Sequence, residues 1–321
     1  MPYAHSQIDL IHLYNKCLRD DLHKLGLKHT QIPDCDIGAY YHSVYARLIS
    51  CQPRQVLYTP KFSCPTNHTA GLARLEKAFK DGNSIMPYQS KTISNLKTTD
   101  GLFFDWAIHH FHLGAPQYKS KFVERTGQVA FALVMRNAVL FLKIADHSSD
   151  PDVWTDIDML EAVHDADPSL LRSYEVKGVA GNHITSQQRA AYRSVNGNAF
   201  VTLSNGKTYM SPGGGVVSNG LSLAAIRKDD QIQFSLSFLE KELNRDLRHT
   251  TSYFFKKISA HPARLDISLE KIGDLYLCKA IGGTNKLIVY PTSTLQNQRA
   301  NESFYSQVRS LADSTYIYKT S

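Results

Sequence analysis

Three histidines fall within four positions in Asp105-Trp106-Ala107-Ile108-His109-His110-Phe111-His112-Leu113-Gly114. In an extended strand His110 and His112 project to one face and His109 to the other. His147 follows a second apolar run, and pairing of the strands in one sheet would bring it near the His110/His112 side. Lys119, Lys121, Arg125 and Arg136 supply cations around this stretch. Three chemistries compete. Histidine can transfer protons near neutral pH while Arg and Lys stabilise charge on a phosphate, which is enough to drive an RNA 2′-OH onto its own phosphorus without a metal. His110, His112 and His147 could instead hold zinc and make a metal-dependent hydrolase, with Asp105 or Asp146 as a further ligand. The bland alternative is three structural histidines, each satisfied by a backbone group or a carboxylate. Clustering of titratable groups favours function over structure.

The catalytic set expected from the first reading is His110 and His112 as the proton-transfer pair, with Arg125, Lys121 and His147 at the phosphate. A second surface is expected at Arg245, Arg248, Lys256 and Lys257, which are interleaved with Tyr253, Phe254 and Phe255. Cations there can contact phosphates while a ring stacks on a base. Arg136 joins that nucleic-acid-binding set. Arg189 and Arg193, four apart, can extend it on a helix face. The alternative is a core of aromatics under a solvated basic face. The Gly213-Gly214-Gly215 run lacks the Gly-Lys-Ser/Thr of a phosphate loop. It reads as a turn, with a backbone anion nest as the sharper option. No cofactor motif and no metal motif of recognised spacing occurs, so none is expected.

The elements that must position these residues follow from periodicity. Helices are expected at the N-terminus up to Leu25, over Ile37 to Ile49 and over Thr69 to Lys80. Val129–Val134 and Val139–Ile144 form a hairpin pattern around Arg-Asn-Ala. The acidic stretch from Asp150 to Asp167 reads as a helix. Phe200–Leu203 and Lys207–Met210 flank a Ser-Asn-Gly turn. Ile232–Arg248 reads as a helix, and Leu265–Leu269, Leu275–Ile281 and Leu287–Tyr290 as strands. The expected class is α+β in three parts. These are a helical N-terminal region (1–84), a central His-rich domain with a small antiparallel sheet (85–177) and a basic, β-containing C-terminal domain (178–321).

Ile108 to Leu113, continued through Phe131 to His147, resembles the YafO-type mRNA interferases of the RelE superfamily, which carry an H-x-H-L strand in a compact α+β fold. The similar part covers about a third of the chain. The resemblance implies a metal-independent endoribonuclease, a toxin whose partner is an antitoxin. The run D-W-x-I-H-H-F-H-L-G also resembles an uncharacterised bacterial family found beside phage-defence genes, which implies a defence-system partner. The acidic stretch after His147 is an odd neighbour for RNA unless it faces away.

Charge sets the partner class. The 321 residues carry a formal net charge of +7. Residues 1–180 hold 19 Lys+Arg and 19 Asp+Glu, and residues 181–321 hold 17 and 10. That asymmetry points to RNA or another nucleic acid, cleaved or only bound, with a non-catalytic partner-binding module and plain solubility charge as the alternatives. Five widely spaced cysteines without a C-x-x-C pair argue for free thiols. No apolar run is long enough for a membrane span, and no signal-peptide core is present, so a cytoplasmic location and no membrane partner are expected.

Overall fold

The computed structural model describes residues 9–179, 181–258, 265–272, 275–282 and 286–291. The chain is α+β and falls into two compact units. One comprises residues 39–227 and the other residues 1–38 with 228–321. The sequence boundaries at 84/85 and 177/178 both lie inside the larger unit. The reason is visible in its core, where a helix from before residue 84 and a hairpin from after residue 177 both pack on the central sheet.

That sheet has the strand order β1-β4-β3-β2, with β1 at Gln55–Tyr58, β2 at Ile108–His112, β3 at Gln128–Val134 and β4 at Ala138–Asp146. The β2–β3 and β3–β4 pairs are antiparallel. β1 runs parallel to β4, pairing Gln55 with Ala138 and Tyr58 with Phe141. The sheet is therefore mixed rather than purely antiparallel, because the parallel strands β1 and β4 are joined by a long stretch of chain instead of a tight turn.

Alternation along the strands gives the sheet two apolar faces. Phe111, Ala130, Ala132, Val139 and Phe141 meet Leu72, Leu75 and Phe79 of the helix at Thr69–Asp81 (α3; α1 and α2 span Leu10–Lys24 and Ile37–Arg47). That helix ends at Gly82, whose φ of 70° satisfies the left-handed C-terminal cap. Ile108, Val129, Phe131, Leu140 and Leu142 face the other way, toward Val153, Met159, Leu160 and Val163. The acidic stretch expected as one helix is two pieces, a 3-10 turn at Pro151–Thr155 and a helix at Asp158–Ala166 (α5), with α4 at Gly101–Trp106 before β2. Val201, Leu203 and Tyr209 from the β5–β6 hairpin (Val201–Thr202 and Thr208–Tyr209) complete this second core. Each buried Phe or Leu contributes about 1.5–3 kcal/mol.

In the smaller unit, Tyr14 on α1 donates its hydroxyl to Asp229 at 2.8 Å, and the Gln233 amide donates to the same carboxylate at 2.8 Å. A Cβ at Gly38 would lie 1.9 Å from Asp229 Oδ1, so glycine is required for that approach. Asp229 is carried by a helix over Leu223–Ile258 (α7), with α6 at Ser186–Ser194 preceding it in the chain. Strands Leu265–Ile272, Leu275–Gly282 and Lys286–Pro291 (β7, β8, β9) form an antiparallel meander in the same unit.

This joining of the two ends redistributes the charge. The smaller unit holds 17 Lys+Arg against 15 Asp+Glu, and the larger holds 19 against 14. Most of the excess positive charge therefore lies in the unit with the histidines, not in a separate basic C-terminal part.

Candidate active site

The site begins at Asp100. Its Oδ1 caps α4 by accepting from the Phe103 amide at 3.0 Å, one of the donors a helix start leaves unpaired. α4 stops at Ala107, in the left-handed region with φ of 56°, and the chain turns directly into β2. The turn places His110 beside the same carboxylate, with Nδ1 4.0 Å from Asp100 Oδ2. One aspartate thus fixes the helix start and stands next to the strand histidine.

His110 and His112 share a face of β2, with ring centroids 6.2 Å apart. His109 is on the other face, against Phe103 at 4.7 Å and Phe111 at 5.9 Å. His147 joins the first pair, its ring 5.5 Å from that of His112. The convergence follows from sheet register. His112 pairs with Val129 on β3, and His147 lies just beyond the Gln128–Asp146 pair at the same end of the sheet.

Proton placement differs between these two rings. The Thr126 amide donates to His112 Nδ1 at 3.2 Å, so that nitrogen carries no proton and Nε2 does. His147 Nδ1 bonds the Gly127 carbonyl, which can only accept, so Nδ1 carries a proton and Nε2 is the nitrogen left for another partner. Burial pushes the His112 pKa down to about 3, aided by the charges of Arg125, His110 and His147. Burial also lowers His110, which the Asp100 carboxylate partly offsets and His147 and Arg125 reinforce. His110 and His112 are therefore neutral near pH 7. In both rings desolvation disfavours the imidazolium.

Arg125 is the cation of this site. Its Nη1 donates to the Gln89 carbonyl at 2.9 Å, and the Gln89 side chain donates to the Arg47 carbonyl at 2.8 Å. Burial lowers the guanidinium pKa to about 10, which leaves it charged at neutral pH. Lys121 is not with it. Lys121 is exposed and lines a separate cleft with Arg74, Lys77 and Tyr88. Arg136 is exposed in the β3–β4 turn, at the opposite end of β4 from His147. It is separated from His147 by the length of that strand. The side chains of Arg245, Arg248, Lys256 and Lys257, on the C-terminal part of α7, lie outside the described residues.

Trp154 was not anticipated. Its ring lies 4.9 Å from His110, 5.7 Å from His147 and 5.7 Å from Phe131, each edge to face. Arg193 bonds the Trp154 carbonyl and reaches Asp105 through Nε at 3.1 Å. Arg189, buried to 4% exposure, donates to the Thr155 carbonyl at 2.7 Å. The two arginines expected on a nucleic-acid surface instead hold the 3-10 turn that carries Trp154. No spacing rule marks Trp154, since it comes from a turn 42 positions after His112. Asp100 had a legible signal, an Asp placed just before an apolar helical run.

The Gly-rich run forms no anion nest. Gly213 donates to Asp105 at 2.9 Å, Gly214 to Ser211 at 2.9 Å and Gly215 to Phe104 at 3.2 Å. All three amides are spent on backbone carbonyls. Among the described residues no three His, Cys, Asp or Glu side chains form a group that could hold a metal ion. The zinc triad of His110, His112 and His147 is thus not assembled: the rings meet edge to face, and two of the Nδ1 atoms are already bonded. Among the described residues, too, no helix is long and apolar enough to cross a membrane. Compared with protein-family models, curated proteins and solved structures, the chain matches none.

Proposed function

We propose that the chain is a metal-independent endoribonuclease of toxin or phage-defence type. The observation that carries this reading is the opposed protonation of His112 and His147, 5.5 Å apart, beside the charged Arg125. His147 is the more exposed ring, and its basic Nε2 takes the proton from a ribose 2′-OH. The 2′-oxygen then bonds to phosphorus, the bond to the 5′-oxygen breaks, and that oxygen takes a proton from water. His112 Nε2–H and Arg125 donate hydrogen bonds to the phosphate oxygens as charge builds on them. The products are a 2′,3′-cyclic phosphate and a 5′-hydroxyl end. Asp100 beside His110, and Trp154 against His110 and His147, are positioning residues. The partner in this reading is an antitoxin or a defence-system protein.

The test is incubation of the full chain with single-stranded RNA in chelator, followed by end-group analysis. Cleavage giving cyclic phosphate ends, lost in His147→Ala, supports the proposal. Equal cleavage by wild type and variant, or cleavage only with added divalent metal, overturns it.

A further inference from the structure

A second site, lined by none of these histidines, is a cleft of about 450 Å³ within the larger unit. That volume is in the range of small-ligand pockets. One wall is α3, which contributes Arg74 and Lys77. The other is made by the 3-10 turn at Met86–Tyr88 and the loop from Pro116 to Val123, which contributes Lys121 and Phe122. The two loops are tied. Val123 donates to the Pro87 carbonyl at 3.0 Å and bridges to Pro116, and Ser120 Oγ accepts from the Phe122 amide at 3.0 Å. The cleft is therefore held open by backbone bonds rather than by side chains alone.

Its lining is one-signed. Arg74, Lys77 and Lys121 all face it, and none of its lining residues is Asp or Glu. Lys77 pairs with Asp81 at 2.7 Å and so offers only part of its charge. Arg74 spends Nη2 on the Gly114 carbonyl at 3.2 Å, but its Nε is buried with no hydrogen-bond partner among the described residues. Tyr88 and Phe122 add two aromatic rings to the same lining. Phe122 also carries the Arg125 guanidinium 5.9 Å from its centroid.

We infer that this cleft binds a nucleotide, with its phosphate at Arg74 and Lys121 and its base against Tyr88 and Phe122. Cations recognise the phosphate, and rings recognise the flat base. The inference does not rest on the ribonuclease reading, since no histidine of that site lines the cleft.

The experiment is calorimetric titration of the full chain with AMP, ribose 5-phosphate and inorganic phosphate. AMP is expected to bind at least about tenfold tighter than ribose 5-phosphate, from the stacking of one base. Lys121→Glu, a change at an exposed position, is expected to weaken AMP by about tenfold or more. His147→Ala is expected to leave AMP binding intact. AMP binding no tighter than inorganic phosphate, or unchanged in Lys121→Glu, overturns the inference. So does AMP binding lost in His147→Ala, which would put the nucleotide at the histidines. Titration with a 5′-phosphorylated trinucleotide separates the sources. Tighter binding than AMP means an RNA end, and weaker binding means a free nucleotide; either ranking supports the site.

Discussion

His109 and His110 are neighbours in the chain and lie on opposite faces of one strand, where the same side chain meets two different environments. His109 packs among Phe103 and Phe111 in front of α3, with burial holding its pKa down to about 3. His110 meets Asp100, Trp154 and, through His112, the partly exposed His147. One face is finished mainly by apolar rings, with the Arg54 charge near enough to help hold His109 neutral. The other is finished by groups that donate, accept or carry charge. What separates a histidine among apolar rings from one among polar and titratable groups here is what the facing element brings, and only the fold determines that.

The largest effect that would break this contrast is on activity. His147→Ala should lower RNA cleavage about 10²–10⁴-fold, the range for a removed general base, with little change in urea unfolding. His109→Phe should leave cleavage intact, and loss of cleavage there would erase the distinction between the faces. On the packed face, Phe111→Ala should lower unfolding free energy by about 3–5 kcal/mol, read by chemical denaturation. A cost near that of a surface change would mean this face is not the stabilising one.

The third effect concerns pH. His109 and His112 have folded pKa values near 3, below the ordinary value of 6.5. The unfolded chain binds their protons first, so the stability from keeping them neutral is present above pH 6.5. It is lost as pH falls toward 3, at about 1.4 kcal/mol per pH unit for each histidine. Urea midpoints measured across this window should show that slope, and His109→Phe should reduce it. An unchanged slope would mean that His109 is not held neutral by its face. The smallest effect is expected at Arg136→Ala, at the far end of the hairpin. Stability there should stay within about 0.5 kcal/mol, and cleavage should not change.

Local pattern made much of this legible. The opposite orientations of His109 and His110, the approach of His147 to His112 and the hairpin all follow from strand alternation and a short turn. α3 ends at Asp81, one residue past the expected Lys80. Non-local features were not legible. β1 is four residues between Pro53 and Pro60, and its partner lies some eighty positions away. α7 begins at Leu223, ahead of the expected Ile232, with Ser222 Oγ accepting from the Ala225 amide. The alternating Ile232, Phe234, Leu236 and Phe238 obscured that start. Sequence distance groups Lys121 and Arg136 with the histidines, but a loop carries one to another cleft and the length of β4 separates the other from His147. Trp154 reaches the site only because Arg189 and Arg193, from a later helix, hold its turn in place.

The parallel pairing of β1 with β4 also has a consequence for synthesis. β1 leaves the ribosome long before its partner exists. At about 5–20 residues per second, roughly 5–20 s pass before the chain up to residue 146 has been made. During that interval the exposed backbone of Gln55–Tyr58 must be kept from other strands, and Pro53 and Pro60 on either side limit how far a wrong pairing can extend.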